Sequence, residues 1–235
     1  MPQVPRFQFT NFDYLAAMPL LERFLHPATV SLKICGVTTR DDADQLVRLG
    51  VDALGVNFWP QSKRYLAPGE AEWLRDLAGN ILRVGVFVNE ESALPIRLYK
   101  EGLIDVIQLH GDETPDDAAP FRDAGIPFIK AIGVKTRADL AQATEFGASA
   151  ILLDSHAPGL YGGTGEVFNW TVAKEFRHQH ADLPIILAGG IIPENALLAA
   201  ESVRPAALDI ASGAEISPGV KDFHKVAALI AALKP

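Results

Sequence analysis

The sequence predicts a single α/β domain of the (β/α)₈ TIM-barrel class, preceded by an extra helical segment at the N-terminus. Eight short apolar runs alternate with eight segments of helical pattern, which is the order of elements in such a barrel. The runs are continuous rather than alternately polar, as expected for parallel strands buried on both faces. A doubly wound open sheet is the alternative, but it places its glycine motif after the first strand. Here the glycine-rich stretches come late, so the barrel is favoured.

The predicted elements follow in a regular order along the chain. The strands are predicted at residues 32–35, 53–58, 82–88, 104–109, 128–132, 151–154, 185–188 and 207–210. The helices are predicted at residues 39–49, 68–77, 92–101, 114–124, 138–146, 171–178, 195–203 and 220–233. The first helix has typical end signals, because Asp41 and Asp42 lie in its first turn and Gly50 follows its last.

Residues 1–30 form the predicted N-terminal extension, and residues 31–235 form the barrel domain. Asn11 can cap a helix in the extension, and Pro19 can start or kink it. The apolar residues that follow the cap fall on one helical stripe: Leu15, Met18, Leu21, Phe24 and Leu25. We expect this stripe to cover one end of the core, since most such stripes make core contacts, and partner binding is the alternative.

Composition limits the classes of partner. The 235 residues carry a formal net charge of -8, which argues against nucleic acid or an anionic membrane as the main partner. A small anionic ligand is compatible with this charge if positive groups are local. The single cysteine excludes an intramolecular disulfide and a cysteine-rich zinc site, which fits a cytoplasmic protein. No apolar run approaches the roughly 20 residues of a membrane span, and no secretory pattern is found.

Reactive side chains stand at the ends of three predicted strands. A barrel builds its active site from the loops at the carboxyl ends of its strands. Cys35 ends the first strand, Asp154 ends the sixth, and Asp209 lies near the end of the eighth. An isolated cysteine is usually a small hydrophobic filler, and either acid can simply cap the next segment. The convergence of three such groups on one barrel mouth favours chemistry over packing.

Glycine-rich loops follow strands six, seven and eight, and barrels often bind phosphate after strands seven and eight. The first loop contains Gly163, the second contains Gly189 and Gly190, and the third contains Ser212 and Gly213. Backbone amides at such positions, at the start of a helix, can bind an anion. A flexible lid or tight turns would give the same glycine pattern. The position of the loops in the barrel favours phosphate.

Two further strand ends carry polar side chains. Arg64 lies in the loop after strand two, beside Phe58 and Trp59, and can bind a carboxylate through two parallel hydrogen bonds. A solvated arginine beside core aromatics is equally compatible. His110 follows strand four, where it can act as a base or form part of the wall. No second ligand stands at metal spacing, so no metal site is predicted.

Together these motifs resemble the phosphoribosylanthranilate isomerase family. The matching stretches run in order from residue 32 to about residue 222, nearly the whole barrel. They are residues 33–36, 58–65 with Ser62 and Arg64, 84–89, 108–111, 153–155, 162–165, 187–190 and 209–213 with Glu215. Each motif alone is weak, whereas the ordered set is specific. Asn57, Glu166 and Ala211 depart from the residues common in the family.

The resemblance implies the Amadori rearrangement of N-(5-phosphoribosyl)anthranilate to 1-(2-carboxyphenylamino)-1-deoxyribulose 5-phosphate in tryptophan biosynthesis. It implies an aldose-ketose isomerase, formally an intramolecular oxidoreductase, without metal or organic cofactor. By family position, Asp154 is the general acid for ring opening, and Cys35, as the thiolate, is the base that removes the C2 proton. Arg64 is assigned to the anthranilate carboxylate and Asp209 to the amino group or sugar. The phosphate is assigned to backbone amides around Gly163, Gly190, Ser212 and Gly213.

The neighbourhood of the cysteine leaves one alternative open. Lys33 lies two residues before Cys35 on the same strand, so both side chains point to the same face. Lys33 can help to stabilise the thiolate, and a structural ion pair is the alternative. The implied partner is a small phosphorylated aminosugar, and the chain is expected to be a monomer or a homodimer.

Other functions stay compatible with the same motifs. Aminoimidazole-carboxamide ribotide isomerases run the same rearrangement, but they are expected to use two aspartates, and Cys35 at the first position argues against them. A non-catalytic barrel that only binds a phosphorylated ligand is a second alternative, which the intact acid and base positions disfavour. An isomerase that accepts both substrates stays open.

Overall fold

The structure, a computed structural model, describes residues 18–155 and 170–233. Eight parallel strands close into a barrel in chain order, and β8 pairs with β1 to complete it. The strands are β1 (Ser31–Cys35), β2 (Ala53–Asn57), β3 (Leu82–Phe87), β4 (Val106–Leu109), β5 (Phe128–Val134), β6 (Ala150–Ser155), β7 (Ile185–Leu187) and β8 (Ala207–Ile210). The predicted barrel and its eight strands are therefore confirmed.

Helices precede the barrel and connect its strands. They are α1 (Leu20–Phe24), α2 (Arg40–Arg48), α3 (Ala93–Lys100), α4 (Ala119–Asp123), α5 (Trp170–Gln179), α6 (Pro193–Val203) and α7 (Phe223–Leu233). The cap of α2 is Thr39, whose hydroxyl accepts a hydrogen bond from the Asp42 amide at 3.2 Å. Among the described residues, no helix has the length and apolar character needed to cross a membrane.

Two predicted helices are 3₁₀ turns instead of α-helices. The connection after β2 consists of Pro68–Glu70 and Glu72–Leu77, and the connection after β5 consists of Arg137–Leu140 and Ala143–Phe146. A 3₁₀ helix rises about 2.0 Å per residue, so it returns the chain along the barrel with fewer residues than an α-helix. The helical segments predicted at 68–77 and 138–146 are present as 3₁₀ helices, a type that the prediction did not specify because apolar spacing does not separate the two helix types.

Two other helices are shorter than predicted. The helix predicted at 114–124 begins only at Ala119, because residues 114–117 form a turn in which the Asp117 carboxylate accepts from the Thr114 amide at 2.8 Å. The helix predicted at 220–233 begins at Phe223. Before it, an antiparallel hairpin joins β9 (Glu215–Ser217) to β10 (Val220–Lys221). This hairpin follows β8 after one short turn, at the end of the barrel where the carboxyl ends of the strands meet.

The core has two layers. The outer layer lies between the strands and the helices, and the inner layer fills the barrel. Phe24 of α1 is 1% exposed and packs into the inner layer. Strands β2, β6 and β8 each begin with an alanine, and these small side chains belong to the same inner layer as Phe24. The described part of the extension thus covers the amino-terminal end of the barrel, and Asn11 and Leu15 lie outside the described residues.

Candidate active site

A cavity that opens to solvent lies at the carboxyl ends of the strands, where a barrel carries its active site. Eight of the ten predicted site residues line it: Cys35, Arg64, His110, Asp154, Gly189, Gly190, Asp209 and Ser212. Of the other two, Gly213 is buried behind the wall and Gly163 lies outside the described residues. The barrel therefore brings residues from six strand ends into one space.

Lys33, Cys35 and Asp209 form a connected group on adjacent strands. Lys33 and Cys35 project from β1, and Asp209 lies on β8 in register with Lys33. The Lys33 ammonium donates a hydrogen bond to Asp209 Oδ1 at 2.8 Å, and it is close enough to the Cys35 thiol for each group to shift the pKa of the other. The structural ion pair considered for Lys33 is present, and the same ammonium group still reaches the thiol.

A glycine on the neighbouring strand makes space for this group. Gly55 of β2 lies opposite Cys35 in the strand register. A Cβ atom at Gly55 would lie 2.8 Å from Cys35 Sγ and 2.9 Å from Lys33 Nζ. Carbon atoms do not approach sulfur or nitrogen so closely without displacement. Glycine at this position therefore allows the thiol and the ammonium group to meet inside the barrel.

Burial and charge act in opposite directions on the thiol and the ammonium group. Burial raises the pKa of the Cys35 thiol, and this outweighs the lowering by the Lys33 ammonium. Burial acts to lower the pKa of Lys33, but the Asp209 carboxylate and Cys35 together outweigh it, so that pKa is raised. Near neutral pH, Lys33 is charged, and the Cys35 thiol is protonated in most molecules. Cys35 can therefore act as a base in the fraction of molecules that carry the thiolate.

Asp154 enters the same cavity from β6 with a buried carboxyl group. Its Oδ1 accepts a hydrogen bond from the Ser155 amide at 2.8 Å, and His110 Nε2 lies 3.4 Å from its Oδ2. On the other side of the ring, His110 Nδ1 lies 2.6 Å from Gln108 Nε2. With the Gln108 amide as donor, Nδ1 accepts and the ring proton sits on Nε2, facing Asp154. Sequence reasoning named His110 and Asp154 separately, and the structure brings them together.

Arg64 reaches the cavity across the backbone of Gly36. A Cβ atom at Gly36 would lie 2.2 Å from Arg64 Cδ, and the backbone φ of +75° there independently favours glycine. Beyond Gly36 the guanidinium group meets Glu215 of β9. Arg64 Nε donates to Oε1 at 2.9 Å, and Nη2 donates to Oε2 at 2.7 Å. Lys221 of β10 in turn donates to Glu215 Oε1 at 2.7 Å.

Sequence reasoning did not assign a role to Glu215, the partner of Arg64, or to Lys221, which binds Glu215. Glu215 had a signal in the sequence, because it follows the glycine loop within the family-like segment. Lys221 had none, since it fell in a segment predicted to be the first turn of a helix. The contact between Arg64 and Glu215 spans 151 residues of chain, and only the closed barrel brings the two loops together.

The loops after β7 and β8 lie side by side at the cavity wall. Gly189 and Gly190 have φ angles of +82° and +62°, a backbone region that favours glycine. Ser212 begins a 3₁₀ turn, Ser212–Ala214, directly after β8. A Cβ atom at Gly213 would lie 1.9 Å from the Ile191 carbonyl oxygen. Gly213 therefore lets the two loops touch, while Gly190, Ala211 and Ser212 line the cavity.

The loop after β6, which includes Gly163, lies outside the described residues. Within the part of the chain that the structure describes, no cluster of three or more histidine, cysteine, aspartate or glutamate side chains could hold a metal ion. The described polar groups that line the cavity are one thiol, two carboxyl groups, one imidazole, one guanidinium group, the Asn57 amide and the hydroxyls of Ser62 and Ser212, beside Gly189 and Gly190. This combination suits acid-base chemistry on an anionic ligand.

The family model for N-(5'-phosphoribosyl)anthranilate (PRA) isomerase matches residues 32–232, which is the barrel from β1 into α7. The chain belongs to the phosphoribosylanthranilate isomerase family. One relative of that name, from Syntrophus aciditrophicus, is 42% identical over 204 residues, which cover 86% of each chain. Another, from Thermotoga neapolitana, is 43% identical over 200 residues, which cover 84% of this chain and 95% of that protein.

Solved structures of family members agree with this fold. The phosphoribosyl anthranilate isomerase of Thermotoga maritima matches with a TM-score of 0.79 and 35% identity, covering 88% of this chain and 99% of that one. A phosphoribosyl anthranilate isomerase in complex with reduced 1-(o-carboxyphenylamino)-1-deoxyribulose 5-phosphate matches with a TM-score of 0.76 and 34% identity, with the same coverage. The family resemblance inferred from the ordered motifs is therefore confirmed.

Proposed function

We propose that this chain catalyses the Amadori rearrangement of N-(5-phosphoribosyl)anthranilate to 1-(2-carboxyphenylamino)-1-deoxyribulose 5-phosphate, a step of tryptophan biosynthesis. The observation that carries the proposal is the presence of Cys35, Asp154 and Arg64 in one cavity. Family membership supports the substrate class, since related enzymes carry this activity in their names. The complex of a family member with the reduced product supports the same ligand for this barrel.

The ligand would be held at its two anionic ends. Arg64 would bind the anthranilate carboxylate, because a guanidinium group offers paired donors to a planar acid. The loops of Gly189, Gly190 and Ser212 would bind the phosphate through backbone amides, with Gly163 expected to contribute from the loop after β6. These local groups would attract a ligand of the same sign as the net charge of -8, since charges farther than about 10 Å are screened by salt.

Ring opening would be the first chemical step. Asp154, in its protonated form, would give its proton to the furanose oxygen, while the nitrogen lone pair forms a C=N bond to C1 and the C1–O bond breaks. The product of this step is an iminium ion with an open sugar chain. His110, 3.4 Å from Asp154 Oδ2, would orient the carboxyl group toward the ring oxygen.

Removal of the C2 proton would be the second step. The positive iminium nitrogen acidifies this proton, and the Cys35 thiolate would accept it to leave an enolamine. Proton transfer to C1 and loss of the hydroxyl proton at C2 then give the ketone. Oxidation at C2 and reduction at C1 balance within one molecule, so an aldose-ketose isomerase of this kind needs no external oxidant or cofactor. Asp209 would face the amino group or sugar from its place beside Lys33.

The setting of the enzyme follows from the same proposal. A biosynthetic enzyme with one free thiol is expected in the cytoplasm, because that compartment keeps cysteines reduced. The assembly would be a monomer or a homodimer. One Thermotoga maritima relative is described as monomers generated from a dimeric isomerase, so both states have precedent in the family.

The experiment is a fluorescence assay of phosphoribosylanthranilate turnover by the wild-type chain and by the Cys35→Ser and Asp154→Ala variants. We expect wild-type turnover, with a loss of about 10²–10⁴-fold in kcat for each variant, which is the usual contribution of a general acid or base. Aminoimidazole-carboxamide ribotide substrate is assayed beside it to detect a dual-substrate enzyme. Normal turnover by both variants would sink the proposal, as would binding of the product analogue without any wild-type turnover.

A further inference from the structure

The hairpin that follows β8 supports the arginine of the cavity. Glu215 on β9 is buried and binds the Nε and Nη2 edge of Arg64 through two hydrogen bonds of 2.9 and 2.7 Å. A guanidinium group carries five N–H donors on three edges. This contact with Glu215 uses two of the five donors, and it fixes the plane and direction of the group. The donors on the other edges stay outside the contact.

Lys221 completes the support from the second strand of the hairpin. Its buried ammonium group donates to Glu215 Oε1 at 2.7 Å and to the backbone carbonyl of Cys35 at 2.5 Å. Two positive groups and one negative group therefore share this site, which leaves a net positive charge of one beside the cavity. A lone Arg64–Glu215 pair would be neutral and would attract a carboxylate less strongly.

The hairpin itself is attached to the loop after β1. The Thr38 hydroxyl donates to the Gly219 carbonyl at 3.0 Å, and the Gly219 amide donates to Glu215 Oε1 at 3.1 Å. Arg64 and Lys221 hold the pKa of Glu215 below its usual value, although burial alone would raise it. The carboxylate is thus charged and fully engaged near neutral pH, so its position is well determined.

We propose that Glu215 is the positioning residue for substrate-carboxylate recognition: it holds one edge of Arg64 so that another edge faces the anthranilate carboxylate, and Lys221 supplies the charge that keeps the site positive. This inference rests on the proposed function, whose substrate carries that carboxylate. On this inference the hairpin contributes to recognition of the anthranilate group, whereas the glycine loops would bind the sugar phosphate.

The test compares two analogues of the reduced product, one with the 2-carboxylate on its phenyl ring and one without it. Calorimetric Kd values are measured for the wild type, Glu215→Gln, and the control Asp105→Asn. Asp105 is matched because it makes a bidentate pair with Arg83, with Nη2–Oδ1 at 2.6 Å, at the opposite end of the barrel. The ratio of the two Kd values reports carboxylate recognition separately from general destabilisation.

We expect the wild type and Asp105→Asn to prefer the carboxylate-bearing analogue equally. In Glu215→Gln that preference is expected to fall about tenfold or more, because Arg64 is no longer held and loses its charge-assisted hydrogen bonds to the carboxylate. This loss outweighs the attraction gained by removing one negative charge. Affinity for the analogue without the carboxylate should stay unchanged. If Glu215→Gln does not fold, Glu215→Asp keeps the charge near Lys221 while its shorter side chain withdraws from Arg64, and the same fall is expected.

Three results would overturn the inference. Equal weakening of both analogues would mean that Glu215 only supports the fold. Tighter binding of the carboxylate-bearing analogue by Glu215→Gln would mean that Glu215 competes with the substrate for Arg64. Wild-type turnover of phosphoribosylanthranilate is measured in parallel, because its absence would refute the proposed function. If the wild type turns over the substrate and Glu215→Gln keeps the full preference for the carboxylate-bearing analogue, this inference alone is refuted.

Discussion

Replacement of Lys33 by methionine tests the buried ion pair at the base of the cavity. The Lys33 side chain is fully buried, and its Nζ lies 2.8 Å from Asp209 Oδ1, which belongs to a side chain only 5% exposed. Methionine keeps the length and the apolar stem but leaves the Asp209 carboxylate without its counterion. Removal of one partner from a buried pair typically destabilises a protein by about 3–5 kcal/mol. We expect a decrease of that size in the free energy of unfolding.

Urea denaturation of the wild type, Lys33→Met and a surface control measures this difference. The control is Arg97→Met, which breaks an exposed pair with Glu101 at 3.2 Å and is expected to cost less than about 1 kcal/mol. The raised pKa of Lys33 means that the contribution of the pair is fully present below pH 10.5 and is lost as the pH rises through the folded pKa. A loss in Lys33→Met no larger than that in Arg97→Met would refute the reasoning.

Three further predictions concern the site itself. Alkylation of Cys35, the single thiol, should still accelerate above pH 9 because burial raises its pKa beyond 9.0, and a plateau below pH 8 would contradict this. Gly36→Ala should raise KM more than the control Gly50→Ala. Both glycines have left-handed φ angles, but only a Cβ atom at Gly36 would collide with Arg64. Equal KM values for the two variants would contradict a role of this collision. His110→Ala should lower kcat by about 10–100-fold with little change in KM, because it removes the imidazole that orients Asp154, the proposed general acid. An unchanged kcat would exclude this role of His110.

The strands of the barrel were predictable because a buried parallel strand is apolar along its whole length. Each of the eight runs therefore marks its own strand, and the chain order gives the neighbours in the sheet. The crossovers were less predictable. Apolar spacing over residues 68–77 and 138–146 is shared by α-helices and 3₁₀ turns, and the choice depends on how many residues must span the barrel height.

The hairpin after β8 shows a different limit of sequence reasoning. Pro218 and Gly219 are turn residues, but the two flanking strands have three and two residues, too few to show a period. Val220 and Lys221 were therefore read as the start of the following helix. The hairpin is stabilised by contacts with loops far away in the chain, such as the bond from Thr38 to Gly219.

The members of the candidate site could be predicted, but their partners could not. Cys35, Asp154 and Arg64 stand at strand ends, where chain position alone predicts a shared cavity. The contacts that prepare them join residues far apart: Lys33 and Asp209 are separated by 176 positions, and Arg64 and Glu215 by 151. No local pattern encodes such pairs, since they depend on the closure of the barrel and on side-chain direction.

The measurement that tests the central claim most directly is single-turnover kinetics with phosphoribosylanthranilate carrying deuterium at C2. If the Cys35 thiolate removes this proton, wild-type turnover should be slower with the deuterated substrate, and Cys35→Ser should lose turnover while it still binds the reduced product. Equal single-turnover rates for the two substrates would show that C2 proton removal does not limit the reaction. Turnover by Cys35→Ser at the wild-type rate would contradict the assignment of the base.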